Sequence, residues 1–142
     1  MKVEGLAQLQ KRIKEIENRV DKARAKAGAT AAQLVRSEAV RSIQEQSPGQ
    51  EVTRTRADGN TYTHIAAAEG HAPNTDTSAL VRSIEVEPIR GDYYVGTNIE
   101  YGAKLEFGDH NTGPRPWLNP ALNAKRAEII EVFRKEVEDA AK

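Results

Sequence analysis

The chain has no cysteine, so neither a disulfide framework nor a thiolate metal site can form. It also has no basic excess: its formal net charge is zero, against the balance expected of a DNA-binding domain. No glycine-rich phosphate loop ends in Lys-Ser/Thr, and GxGxxG, HExxH and GxSxG are absent. We therefore expect a non-enzyme that carries no cofactor and no metal. The opening segment MKVEGLAQLQKRIKEI contains no long apolar run, so neither a secretory signal nor a membrane span is expected there. The expectation is a soluble protein made in a reducing bacterial cytoplasm. Hydrophobic residues make up only 38% of the chain and charged residues 30%, which favours an elongated or oligomeric protein. At 142 residues a single domain, 1–142, is expected.

What is present is unevenly arranged. Residues 1–46 hold ten basic and six acidic side chains, a net +4, so the remainder carries −4. Such a chain either stacks head to tail through complementary faces or simply solvates a charged helix. Apolar residues recur at Val3, Leu6, Leu9, Ile13, Ile16 and Val20, then at Ala23, Ala27, Leu34, Val35, Ala39 and Ile43. Spacings of three and four predict one long amphipathic helix over 1–46, softened near Gly28-Ala29-Thr30 and ended by Ser47-Pro48-Gly49. A helix of that length overhangs a small domain, so its first part is expected to pack against a partner subunit.

Residues 50–66 alternate about Asp58-Gly59-Asn60 and predict an exposed β-hairpin arm. Residues 72–142 form the rest of the core. Within them LVRSIEVEPI and YYVGT predict two strands joined at Arg90-Gly91-Asp92. Thr97-Asn98 is a candidate cap for a short helix over Ile99–Phe107, with Tyr101 and Leu105 facing inward and Ile99 a further candidate. A last helix is expected from Asn119 as cap, with Pro120 at its first position and Leu122, Ile129, Ile130, Phe133 and Val137 on its buried stripe. The architecture is thus α+β: a small antiparallel sheet packed by a long N-terminal helix and a C-terminal helix, with an extra β-hairpin arm.

The candidate chemistry is sparse. His64, His71 and His110 all fall in ribbon or loop, and Asp109 beside His110 reads as an exposed polar pair rather than a metal site. Glu100 and Glu106 are six residues apart, on different faces of a helix, and do not form a general acid–base pair. Arg54 and Arg56 on the arm are candidate assembly or DNA contacts.

Three segments together resemble a known family. Ala72, Pro73, Thr77, Leu80, Ser83 and Ile84 form the first; Tyr101, Glu106, Phe107 and Gly108 the second; Arg115, Pro116, Trp117, Leu118, Pro120, Ala121 and Leu122 lie in or beside the third. In order and approximate spacing they resemble the tail-completion or head–tail joining (neck) proteins of long-tailed bacteriophages and prophages. Ser78 and Gly102 depart from that pattern, which usually has glycine and alanine there, and the 50–66 arm is an addition.

The resemblance implies a structural role at the head–tail junction of a virion. Copies would form a ring, of roughly six by analogy, between the connector or head-closure protein and the tail tube or tail terminator. DNA would pass with at most weak, non-specific contact, and no membrane is involved. The 109–114 loop would order on docking. Phe107, Trp117, Leu118 and Leu122 are expected in one core, with Gly108 turning the chain at positive φ. Core packing does not explain Glu106, which is expected to pair with Arg115 or with a basic residue of a neighbouring subunit. The alternative function is a nucleic-acid-binding module built from the basic helix and the arginine-bearing ribbon. Truncation after Gly113 removes the Trp117 anchor and the final helix, so it is expected to abolish folding or assembly. A soluble, cooperatively melting truncation would contradict this reading.

Overall fold

A computed structural model of the chain describes residues 5–142; Val3, the first residue of the expected apolar stripe, lies outside the described residues. Helix α1 runs Leu6–Gln44 and is followed by strands β1 (Gly49–Thr55) and β2 (Thr61–Ala67). Helix α2 (Ala79–Ser83), strands β3 (Ile84–Ile89) and β4 (Asp92–Thr97), helix α3 (Glu100–Phe107) and helix α4 (Leu118–Ala141) complete the chain. The fold is α+β: two long helices pack with two antiparallel hairpins.

The two long helices form an antiparallel pair. Val35, Ala39 and Ile43, near the end of α1, share a core with Trp117 and Ala121 at the start of α4. Farther along, Lys26 pairs with Glu136 at 2.8 Å. The buried face of α1 is mostly small: Ala23, Ala27, Ala31, Ala32, Val35, Ala39 and Ile43. A stripe of alanines lets a second helix approach closely along much of its length. The expected softening at 28–30 does not occur, because the ring of Tyr93 lies over Gly28 and the helix continues beneath it. The stripe expected on α4 is met in part: Ile129, Phe133 and Val137 are half-buried, and Ile129 packs on the core. Ala121 is the buried residue of α4, while Leu122 is 48% and Ile130 59% exposed. Large residues cannot face a close alanine contact, so they flank it.

The β3–β4 hairpin pairs Ile84 with Thr97 through Ile89 with Asp92. Its turn is Arg90-Gly91, both at positive φ, the conformation that suits a two-residue hairpin. Arg36 ties the hairpin to α1 by donating Nε–H to the carbonyl of Ile84 at 2.7 Å. Below it, Leu80 and Ile84 enter the core beside Val35, Ile43 and Trp117. The β1–β2 arm pairs Gly49 with Ala67 through Thr55 with Thr61. Its turn carries an Asx bond, with the N–H of Asn60 donated to Asp58 Oδ1 at 2.9 Å.

One expected strand begins late. Leu80–Ser83 belong to α2 rather than to a strand. The cause is local: Ser78 sits at φ 58°, ψ 10°, which launches a helical turn whose buried residue is Leu80. A left-handed conformation costs an L-residue about 1–2 kcal/mol, and no side-chain capping bond compensates at Ser78. This also accounts physically for the glycine that the resembling pattern has at this place. Ser78→Gly is therefore expected to stabilise the protein by about 0.5–1 kcal/mol after the backbone entropy of glycine is deducted. Urea denaturation checks this, and an unchanged or lowered midpoint would contradict it.

Candidate functional site

The residues singled out near the third segment converge where α3 meets the start of α4. A helix start leaves four backbone N–H groups without intrahelical acceptors. In α4 these belong to Trp117, Leu118 and Asn119, while the fourth position is Pro120, which has no N–H. Glu106, in the last turn of α3, takes all three. Its Oε2 accepts from Trp117 at 2.7 Å and Leu118 at 2.9 Å, and its Oε1 accepts from Asn119 at 2.9 Å. A carboxylate there also opposes the positive end of the helix dipole.

This corrects three expectations. Glu106 makes no ion pair with Arg115: its carboxylate is turned to three backbone N–H groups of α4, and the Arg115 guanidinium is turned to the carbonyl of Ala67. Asn119 makes no side-chain cap, and the helix starts at Leu118 with Pro120 at its third position. Arg115 instead donates Nε–H to the carbonyl of Ala67 at 2.5 Å, joining this junction to the base of the arm.

Trp117 is 2% exposed and donates its indole N–H to the carbonyl of Gly102 at 3.1 Å. Gly102 and Glu106 are one helical turn apart, so α3 holds the 115–119 segment along one face. The Arg115 N–H adds a backbone bond to the carbonyl of Leu105 at 2.6 Å. At Gly102 the alanine of the resembling pattern would not fit, because a Cβ would run into the methyl group of Thr97. Gly108 ends α3 at φ 77°, as expected, with its N–H bonded to the carbonyl of Lys104 at 2.8 Å. Pro116 and Leu118 are half-buried beside Trp117 in sequence, and Leu118 packs on the core.

Two residues are not in the core where they were expected. Phe107 is 81% exposed, because Glu106 and Leu105 take the face of α3 that meets α4 and Phe107 is turned outward. Leu122 lies at the rim of an open groove of about 710 Å³ between α1, β4 and α4, where it joins Tyr93, Ile129 and Phe133. Tyr101 also faces outward, with 42% exposure, and lines a cavity of about 560 Å³ between α3 and the base of the arm.

The arm is latched by a segment that the sequence marked only as loop. Asn74 accepts the N–H of Ser47 at 2.6 Å and donates to the carbonyls of Ser47 and Ile65, both at 2.9 Å. Thr75 donates to the carbonyl of Ile43 at 2.9 Å. Asp76 pairs with Arg54 at 3.1 Å and accepts the hydroxyl of Tyr62 at 2.8 Å, which raises the Tyr62 phenol above its ordinary pKa. Arg56 stacks over the ring of Tyr62, 4.9 Å from its centroid. Both candidate contact arginines are thus engaged within the chain, although Arg54 keeps 49% of its side chain exposed.

In the 109–114 loop, Asp109 accepts the N–H of Asn111 at 3.0 Å, which holds its carboxyl below the ordinary value. Glu100 pairs with Lys104 at 2.8 Å, away from Glu106. Among the described residues no group of three or more His, Asp or Glu side chains gathers as metal ligands. No helix among them is long and apolar enough to cross a membrane. Comparison of the chain with protein-family models, curated proteins and solved structures found no match.

What the junction does is mechanical: one side chain fixes where α4 begins and how it leaves α3. Glu106→Ala leaves three helix-start donors without their acceptor and is expected to cost about 2–3 kcal/mol. Glu106→Gln should fall between, since its NH2 must oppose one donor. Chemical denaturation reads both, and a loss below about 0.5 kcal/mol for the alanine variant would contradict the assigned role.

Proposed function

We propose that this chain is a structural assembly protein of the head–tail interface of a long-tailed phage or prophage. Copies form a ring between the connector and the tail tube, and the protein performs no chemistry. The observation that carries the reading is the convergence of the three resembling segments. Leu80 and Ile84 from the first share a core with Trp117 from the third. Glu106 from the second caps the helix that the third begins. Residues that match a family pattern far apart in sequence therefore serve one junction, as a shared fold would require.

Two further features support assembly as the role. Among the described residues, the first half of α1 carries exposed large apolar side chains, and Phe107 stands exposed at the end of α3. The nucleic-acid alternative gains no support from the arm, where Arg54 is paired with Asp76 and Arg56 lies on Tyr62. Any DNA contact would be weak, non-specific and steeply salt-dependent.

Electron microscopy of a lysate from the parent phage with a stop codon in this gene tests the role. DNA-filled heads beside unattached tails are expected. Normal infectious particles would overturn the proposal.

A further inference from the structure

From Leu6 to Ala27 the apolar residues of α1 follow an unbroken three–four spacing: Leu6, Leu9, Ile13, Ile16, Val20, Ala23 and Ala27. Written as heptads, Leu6, Ile13, Val20 and Ala27 are the a positions and Leu9, Ile16 and Ala23 the d positions. The last two turns of this seam are covered: Ala23 and Ala27 are buried, and Lys26 close by pairs with Glu136 near the end of α4. The first turns are not. Leu6, Leu9, Ile13 and Ile16 are 51, 55, 47 and 38% exposed. One continuous seam is thus met by α4 in one half, and in the other its large apolar residues stay exposed among the described residues.

We propose that Leu6–Val20 is a docking surface for the same segment of further copies of this chain, in a parallel, in-register bundle. The flanking charges choose the partner and its direction. Arg12 and Arg19 stand at g positions, and Glu17 and Arg24 at e positions. In a parallel bundle Arg12 meets Glu17 of the next copy, an attractive pair on each side of the seam. An antiparallel pair would set the Arg12 and Arg19 edges against each other. The parallel arrangement does bring Arg19 toward Arg24 of the next copy, but there each seam passes to its own α4 and the helices diverge. Among the described residues none of these four makes an ion pair within its own chain.

Two heptads are short for a free coiled coil, since an isolated segment must also form its helix. Here the segment extends a 39-residue helix whose other half is fixed by the core, so most of the ordering cost is met before association. The inference rests on this helix alone and stands whether or not the protein belongs to a virion.

The test uses the full chain, whose lack of cysteine makes single-cysteine variants unambiguous. Leu9→Cys and Ile16→Cys both occupy d positions, about 10 Å apart along the helix. A parallel bundle brings each next to its own copy, so both variants are expected to give disulfide-linked dimers on mild oxidation. An antiparallel two-fold axis passes through at most one of them. Cross-linking at one site only would therefore overturn the proposal. Docking into the α1–α4 groove of another copy would give neither homodimer, and that result would overturn it too.

Analytical ultracentrifugation of the parent chain should show a concentration-dependent mass above one chain. Ile13→Asp should weaken that association more than tenfold while the chain, at concentrations where both proteins are monomeric, keeps its cooperative thermal unfolding. A parent chain that remains monomeric at the highest soluble concentration would also overturn it.

Discussion

Everything at the C-terminal end of this molecule depends on one carboxylate reaching the open end of a helix. Glu106 lies eleven residues or more before the donors it serves and in a different helix. Its position is set by α3, whose first turn accepts the indole N–H of Trp117 and whose last turn accepts the backbone of Arg115. The same face of α3 therefore holds the 115–119 segment by side chain, carbonyl and ring together. Pro120 completes the arrangement by removing the one donor that the carboxylate does not meet. Without that clamp α4 would begin with exposed donors, and the alanine stripe of α1 would lack a fixed partner.

The opposite end of the molecule is built on a different principle. There α1 continues past its partner with an apolar edge and a basic balance, while acidic residues accumulate elsewhere in the chain. The rigid half of the helix makes the free half a preformed surface rather than a flexible tail. The proposed assembly role would use both ends: a locked core that sets geometry and a projecting element available to other copies. The arm is held by Asn74, Thr75 and Asp76, so its direction too is set by the body of the molecule.

Much of the fold was legible because it rests on local periodicity. The three–four spacing gave α1 nearly to its ends, and the Asp58-Gly59 and Arg90-Gly91 turns marked both hairpins. What failed depended on contacts distant in sequence. The alternation around Leu80 predicts a strand, yet the left-handed Ser78 turns it into a helix. Ile130 and Leu122 have the right spacing to face inward, but an alanine stripe on the facing helix admits only Ala121 at close range. Glu106 is not explained by packing in the sequence, and the charges near it suggest an ion pair, whereas its partners are backbone N–H groups. A short-range capping rule looks for an acceptor next to the helix it serves, and here the acceptor belongs to another helix.

Amide hydrogen exchange at the start of α4 tests the central claim most directly. The N–H groups of Trp117, Leu118 and Asn119 would exchange within the fast, frayed class if the helix end were open to water. The clamp predicts that all three are protected to the level of the α1 amides around Val35 and Ala39. Fast exchange at these three positions, with the α1 amides still protected, would contradict the account.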